Sequence, residues 1–179
     1  METLSAIVEV GFTWDGVPIP AEERVRLTLQ PERRDLVVEV EAPFHGDPAP
    51  DCEPGPTDGL WEYEVVELFV TGLAPRGKPV PYLEVELGPH GHHLVLDLHG
   101  IRNPIRSEIP IEYRVRRLGE RWHGTARIPW WLLPARPARF NTYAIHGVGE
   151  QRRYLAMTPV PGPAPDFHRL ERFSPWPIR

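Results

Sequence analysis

The sequence has one cysteine, one lysine and only four side-chain amides in 179 residues. Cys52 by itself can close no intrachain disulfide, which excludes the stapled scaffolds of small secreted domains. Lys78 stands against nineteen arginines, and Asn103, Asn141, Gln30 and Gln151 are the only amides. Together with twenty-three prolines, this depletion in thermolabile residues points to a thermophilic source with GC-rich coding. No apolar run reaches the length of a membrane span, and no basic stretch near Met1 leads into an apolar one, so a cytoplasmic protein with no membrane partner is expected. Basic clusters are missing too. Arg33-Arg34, Arg116-Arg117 and Arg152-Arg153 are isolated pairs in a chain of net charge -5, which argues against a nucleic-acid partner. There is no glycine-rich phosphate loop, and Cys52, Ser5, Ser107 and Ser174 lack a nucleophile motif, so covalent catalysis finds no support.

What is present reads as β-strands punctuated by proline and glycine. Ala6 to Trp14 stops at the Asp15-Gly16 turn, and Val25-Leu27-Leu29 alternates with Arg24, Arg26 and Thr28. Asp35 to Glu41 repeats that alternation, and Ala42 to Gly59 then carries five prolines that exclude helix and central strand. An irregular segment this long is expected to border a site. Leu60 to Thr71 is the organising strand, with a nearly unbroken apolar run that suits a strand covered on both faces. Glu67 interrupts the run, and a buried carboxylate there needs either an arginine partner or a site that opens onto it. Trp61, Glu62, Tyr63 and Glu64 add aromatics and carboxylates at the strand's entrance.

Tyr82 to Gly88 and His92 to Leu98 form the clearest hairpin, turning at Pro89-His90-Gly91. A register that keeps Leu83 and Leu87 beside Leu94, Leu96 and Leu98 gathers Tyr82, Glu84, Glu86, Asp97 and His99 on the other face. Ile111 to Arg117, Arg121 to Ile128, Phe140 to Gly147 and Arg153 to Thr158 read as further strands, while Pro129 to Pro134 has room for no more than one helical turn. Residues 159–179 form a proline-rich tail in which Asp166-Phe167-His168 is expected to cross the sheet. Roughly ten short strands with almost no helix imply an all-β chain, folded as a single-domain antiparallel β-sandwich over residues 1–179.

A transition-metal site is poorly supported, because His92 and His93 point to opposite faces of one strand and His90 lies in a turn. No cofactor is expected. Calcium is the one ion that Glu62, Glu64, Glu84, Glu86 and Asp97 would suit, although no loop has a dedicated calcium pattern. Flat amphipathic side chains beside carboxylates suit a polyhydroxylated ligand.

Motifs along most of the chain carry a resemblance. Thr13-Trp14-Asp15-Gly16, Ala42-Pro43-Phe44, Leu60-Trp61, Tyr63-Glu64-Val65-Val66-Glu67, Tyr82-Leu83-Glu84-Val85-Glu86-Leu87, Tyr143-Ala144-Ile145-His146-Gly147 and Pro165-Asp166-Phe167-His168 resemble an uncharacterised family. It has bacterial and animal members, and its human member is named only for an open reading frame. More distantly, the Trp strand entering Val-Val-Glu-Leu-Phe and the later strand closing on Ile128-Pro129-Trp130 are similar to family 9 carbohydrate-binding modules and DOMON-like domains. That resemblance implies a sandwich whose pocket stacks a saccharide between tryptophans, with Trp61, Glu67 and Trp130 at matching positions.

The reading favoured is therefore a non-catalytic pocket for a small polar ligand, such as a saccharide. Its expected residues are Trp61, Glu64, Glu67, Tyr82, Glu84, Glu86, His99, Trp130, His146 and His168. The alternatives are an enzyme acting on a sugar through Glu67 or Glu84 with a histidine, and an interaction module built on the 42–59 loop and the tail.

Overall fold

The computed structural model of the chain describes residues 5–178. Along the chain run β1 (Ala6–Val10), β2 (Phe12–Thr13), β3 (Val25–Pro31), β4 (Asp35–Pro43), β5 (Val65–Gly72), β6 (Pro81–Leu87) and β7 (His93–His99). They are followed by β8 (Pro104–Arg106), β9 (Glu112–Leu118), β10 (Arg121–Pro129), β11 (Pro137–His146), β12 (Arg153–Ala156) and β13 (Ser174–Pro175). The helical content among the described residues is four three-residue 3₁₀ turns.

Two antiparallel sheets face each other. The first has the order β1-β3-β4-β10-β9; the second runs β2-β12-β11-β5-β6-β7-β8, with β13 added on β11. Between them lies the larger core. Leu27, Leu29, Leu36, Val38, Trp122 and Ile128 reach into it from the first sheet, and Val66, Leu68, Val70, Leu83, Val85 and Phe140 from the second. The first sheet turns its other face to solvent, hence its alternating burial and its arginines.

The second sheet is covered on both sides. Its outer face carries Val65, Phe69, Tyr82, Leu94, Leu96, Leu98, Tyr143 and Ile145, and the tail lays Val160, Phe167, Leu170 and Phe173 over them. This explains why every residue of β5 is buried: a strand with two dry faces has no polar face to alternate with.

Three expectations change. The organising strand begins at Val65, because Leu60–Glu62 forms a 3₁₀ turn entered through left-handed Gly59. In the hairpin, Tyr82 pairs with Leu98, Glu84 with Leu96 and Glu86 with Leu94. Leu83 and Leu87 therefore share their face with Asp97 and His93, so the leucines divide between the two faces. The expectation assumed that one face needed them; with the tail as a second cover, both do. The 42–59 loop, finally, packs on the end of β7, where Thr57 N–H donates to His93 O at 2.9 Å and His93 N–H donates to Gly55 O at 3.0 Å.

Candidate functional site

On the outer face of the second sheet, three carboxylates meet on neighbouring strands. Glu67 of β5 lies directly across the ladder from Glu86 of β6, and Phe69 lies across from Glu84. Residues two apart on one strand share a face, so Glu67, Glu84 and Glu86 form one acidic group. All three are buried.

Above them opens a cavity of about 430 Å³. Glu67, Phe69, Glu84, Leu96 and Leu98 reach it from the sheet, together with Ile145 and Tyr154. Pro165, Phe167 and His168 close it from the tail, Arg102 and Pro104 from the stretch after β7, and Trp61 from the 3₁₀ turn. Trp61 is 42% exposed, so it stands at the rim.

The tail is fixed over the cavity by specific bonds. Phe167 stacks on Tyr143, with ring centroids 3.8 Å apart. Asp166 accepts from the Arg102 guanidinium at 2.8 Å and from the His168 backbone N–H at 3.1 Å. Burial alone would raise the Asp166 pKa, but these hydrogen bonds and the Arg102 charge hold it below the ordinary value.

Tyr82 joins this set to the sheet. Its hydroxyl accepts the Arg102 backbone N–H at 2.9 Å and lies 2.8 Å from His168 Nδ1. Burial pushes the His168 pKa down to about 4, with Arg102 adding to the effect and Asp166 opposing it, so the ring is neutral near pH 7. A neutral ring that accepts the Tyr82 proton at Nδ1 carries its own hydrogen on Nε2, which faces Glu84 Oε2 at 4.0 Å. Burial also pushes the Tyr82 phenol up to about 12, which keeps that proton in place.

The carboxyls behave as a coupled cluster. Burial raises Glu67 well above the carboxylate range, with the Glu84 charge adding and Arg152 opposing. Glu84 is pushed up to about 7 by burial, against a hydrogen bond with Glu86 and the charge of Arg102. Glu86 is raised well above its ordinary value by burial first, then by Glu67 and Glu84. Two ionised carboxylates cannot donate to each other, so any hydrogen bond between Glu84 and Glu86 requires a proton on one of them. When both are ionised, Glu86 Oε1, Glu86 Oε2 and Glu84 Oε2 have no partner among the described residues.

Trp61, Glu67, Glu84 and His168 thus line the cavity, while Tyr82 and Glu86 support them from behind. Four other expected residues lie elsewhere. His99 is on the opposite face at the sheet's edge, 3.8 Å from Asp97, which is itself bound by Arg106 at 2.7 Å. Trp130 sits at the end of β10, where its ring N–H donates to Glu32 O at 2.8 Å. Glu64 accepts the His45 backbone N–H at 3.1 Å, and His146 stacks on His45 with centroids 3.6 Å apart. The 42–59 loop lines no part of the cavity; its Asp58 acts on it only through charge, at Glu86. Of the oxygen ligands considered for calcium, Glu84 and Glu86 belong to the acidic group while Glu64 and Asp97 lie elsewhere, and no group of three or more His, Cys, Asp or Glu among the described residues could hold a metal ion.

Phe69, Leu96, Leu98, Arg102 and Ile145 were not foreseen as lining residues. Apolar residues of a buried strand give no sign of which ones border a cavity. Arg102 has φ +54°, a strained value for a non-glycine residue, and no sequence pattern signals it.

The rim depends on Gly147. Its N–H donates to Asp47 Oδ2 at 2.6 Å and its carbonyl accepts from Arg152 at 3.0 Å; the same guanidinium also donates to Trp61 O. Gly147 has φ +81°, and a Cβ there would overlap the Gln151 backbone carbonyl. Gly147→Ala is therefore expected to cost about 2 kcal/mol or more, read as a lowered thermal midpoint, and to displace Trp61.

No family model matches the sequence. Relatives that align over most of the chain do. A rat protein named UPF0462 protein C4orf33 homolog is 46% identical over 176 residues, covering 94% of this chain and 86% of the relative. The chain belongs to the UPF0462 family. The human member, UPF0462 protein C4orf33, is 44% identical over 93% of this chain and 85% of its own length, and the zebrafish member is 40% identical over 92% and 85%. The expected uncharacterised family with an open-reading-frame name is the one found. Among solved structures, a Bacteroides uniformis protein described as a "putative carbohydrate-binding protein" superposes with a TM-score of 0.68. It covers 97% of this chain and 85% of its own at 14% identity, so the likeness establishes the fold that this UPF0462 chain shares with it. No helix among the described residues is long and apolar enough to cross a membrane.

Proposed function

We propose that this chain binds a small polyhydroxylated ligand of the saccharide class in the cavity under the tail, without catalysing a reaction on it. The observation that carries this reading is a half-exposed tryptophan at the rim of a cavity of about 430 Å³ whose floor holds buried carboxylates. Aromatic side chains cover the apolar face of a sugar ring, and carboxylate oxygens accept from its hydroxyls. The volume suits one or two sugar rings. The description of the Bacteroides neighbour favours the same class of ligand.

A thermal-shift panel of monosaccharides and disaccharides, followed by calorimetry, tests this directly, since a ligand that binds only the folded state raises the melting temperature. Trp61→Ala is expected to weaken binding tenfold or more, equivalent to about 1.4 kcal/mol. The same variant should hardly move the melting temperature of the free protein, because the side chain is only partly packed. A panel in which no saccharide shifts the midpoint overturns the proposal.

One arrangement favours a second reading. The chain from Tyr82 through His168 towards Glu84, whose pKa lies near 7, is a competent acid and base set. If the protein were a sugar hydrolase or isomerase, Glu84→Gln would keep the ligand and abolish turnover of it. In a binding protein no saccharide is converted to begin with. The interaction-module alternative anticipates no concave site, and the cavity weighs against it.

A further inference from the structure

Taking that binding reading as its premise, we infer that the ligand carries a primary amine, and that an amino sugar seats its ammonium group between Glu67 and Glu84. The charge around the cavity floor motivates this. Glu67, Glu84 and Glu86 occupy one face of two neighbouring strands, with Glu67 and Glu86 directly opposite each other. Like charges in that relation destabilise a sheet unless something positive lies between them. The surrounding elements supply only the charges of Arg152 at Glu67 and Arg102 at Glu84, neither of them in a direct ion pair with the group.

The two nearby guanidinium groups are engaged elsewhere. Arg102 is bound to Asp166, and Arg152 to the carbonyls of Gly147 and Trp61. His168 spends Nδ1 on the Tyr82 hydroxyl and stays neutral. The remaining facing groups are Tyr143 from β11, Tyr154 from β12 and Asp58 from the long loop, none of them cationic. Five carboxyls, Glu67, Glu84, Glu86, Asp58 and Asp166, therefore confront two arginines.

An unpartnered atom points to where the missing charge goes. Glu84 lines the cavity, is 4% exposed, and its Oε2 has no hydrogen-bond partner among the described residues. A sugar hydroxyl would satisfy that oxygen but leave the carboxyls dependent on bound protons to limit their charge. An ammonium offers three donors and a full positive charge to the same oxygens. Phe69, Tyr154, Phe167 and Trp61 around it provide aromatic surface that favours a cation over a neutral group. A calcium ion would need six to eight oxygen ligands, and these mostly apolar walls cannot furnish them.

Binding of an ammonium should then expel protons that the cluster holds near neutral pH, because a positive charge favours the ionised carboxyls. The test uses matched sets: glucosamine, glucose and N-acetylglucosamine, with the galactose and mannose equivalents, by calorimetry at pH 7 in two buffers of different ionisation enthalpy. At least one amine is expected to bind tenfold or more tightly than both its hydroxyl and its N-acetyl counterpart, with buffer-dependent heat from proton release. Glu84→Gln should bring that preference to threefold or less. If the variant folds poorly, the wild-type preference at pH 5 serves instead, and it should be smaller than at pH 7. Hydroxyl or acetylated sugars binding as tightly as the amines would overturn the inference and leave the saccharide reading standing. No binding by any member would remove both.

Discussion

Glu84→Gln is expected to stabilise the protein at pH 8 and to leave its stability almost unchanged at pH 5. Glu84 is pushed up from 4.5 to about 7 in the folded state, chiefly by burial. Between those values the unfolded chain has released the proton and the folded one retains it, so stability falls as pH rises through this window. Above it, the folded protein carries the whole penalty. At 1.36 kcal/mol per pKa unit the shift corresponds to about 3 kcal/mol, which the amide no longer incurs. Because Glu67 and Glu86 titrate with Glu84, this figure belongs to the cluster as much as to one residue.

The histidines act with the opposite sign at lower pH. His146 and His168 are pushed down to about 4 by burial, so protonation of the unfolded chain below about 6.5 reduces stability as pH falls. The clean comparison is therefore the gain in urea midpoint of Glu84→Gln over wild type, measured at pH 5, 6.5 and 8. It should grow monotonically, with a rise in melting temperature at pH 8 of several degrees, roughly 2–4 °C per kcal/mol for a chain of this size. A gain independent of pH, or a loss at pH 8, would show that the cluster is not strained by its charge.

The second large effect is expected at Asn141, which is fully buried on β11. Its Nδ2 donates to the Tyr143 hydroxyl and to Thr158 O, both at 2.8 Å, and its Oδ1 accepts from Thr142 N–H and Thr158 N–H, both at 3.0 Å. This one amide satisfies its neighbours and holds the start of the tail. Asn141→Ala leaves two N–H groups and one carbonyl without partners where water is scarce, each costing about 1–3 kcal/mol. A combined loss of about 3–5 kcal/mol is expected by urea unfolding, since such effects add incompletely. Tyr143→Phe removes the hydroxyl that accepts from Asn141 Nδ2 and donates to Phe167 O, and should cost about 1–3 kcal/mol. Because Phe167 and His168 roof the cavity, Asn141→Ala should also abolish any ligand-induced thermal shift under conditions where it remains folded. A loss below 1 kcal/mol would mean that the tail is held by apolar packing alone.

The residues that were readable in advance have a common property. Glu67 stood out because an ionisable group inside a buried run is expensive, Trp61 because it stands at the entrance of that run and matches the distant resemblance, and Glu84 because its neighbours' alternation placed it. The crossing at Asp166-Phe167-His168 was legible because proline on both sides denied it a helix. Four other expected residues, which had no such constraint, lie away from the cavity. His99 depended on a hairpin register that keeps the leucines on one face, and the cover supplied by the tail allows them to divide between both. His146 and Glu64 point towards His45, a partner a hundred positions from the first and nineteen from the second, which periodicity cannot connect. Trp130 rested on a distant resemblance and here spends its ring N–H on Glu32.

Sequence by itself determined the all-β class, the approximate strands, the impossibility of an intrachain disulfide with one cysteine, and the presence of a carboxylate inside the apolar run of the central strand. Each follows from a local rule: two-residue alternation, proline geometry, or the cost of burying charge. Only the tertiary structure decided which face of which sheet the tail of about twenty residues covers, and that decision made one acidic face into a cavity. It could not be read locally, because burial on the outer face depends on a segment ninety residues further along the chain, and which face of a strand is dry is a property of its cover rather than of the strand.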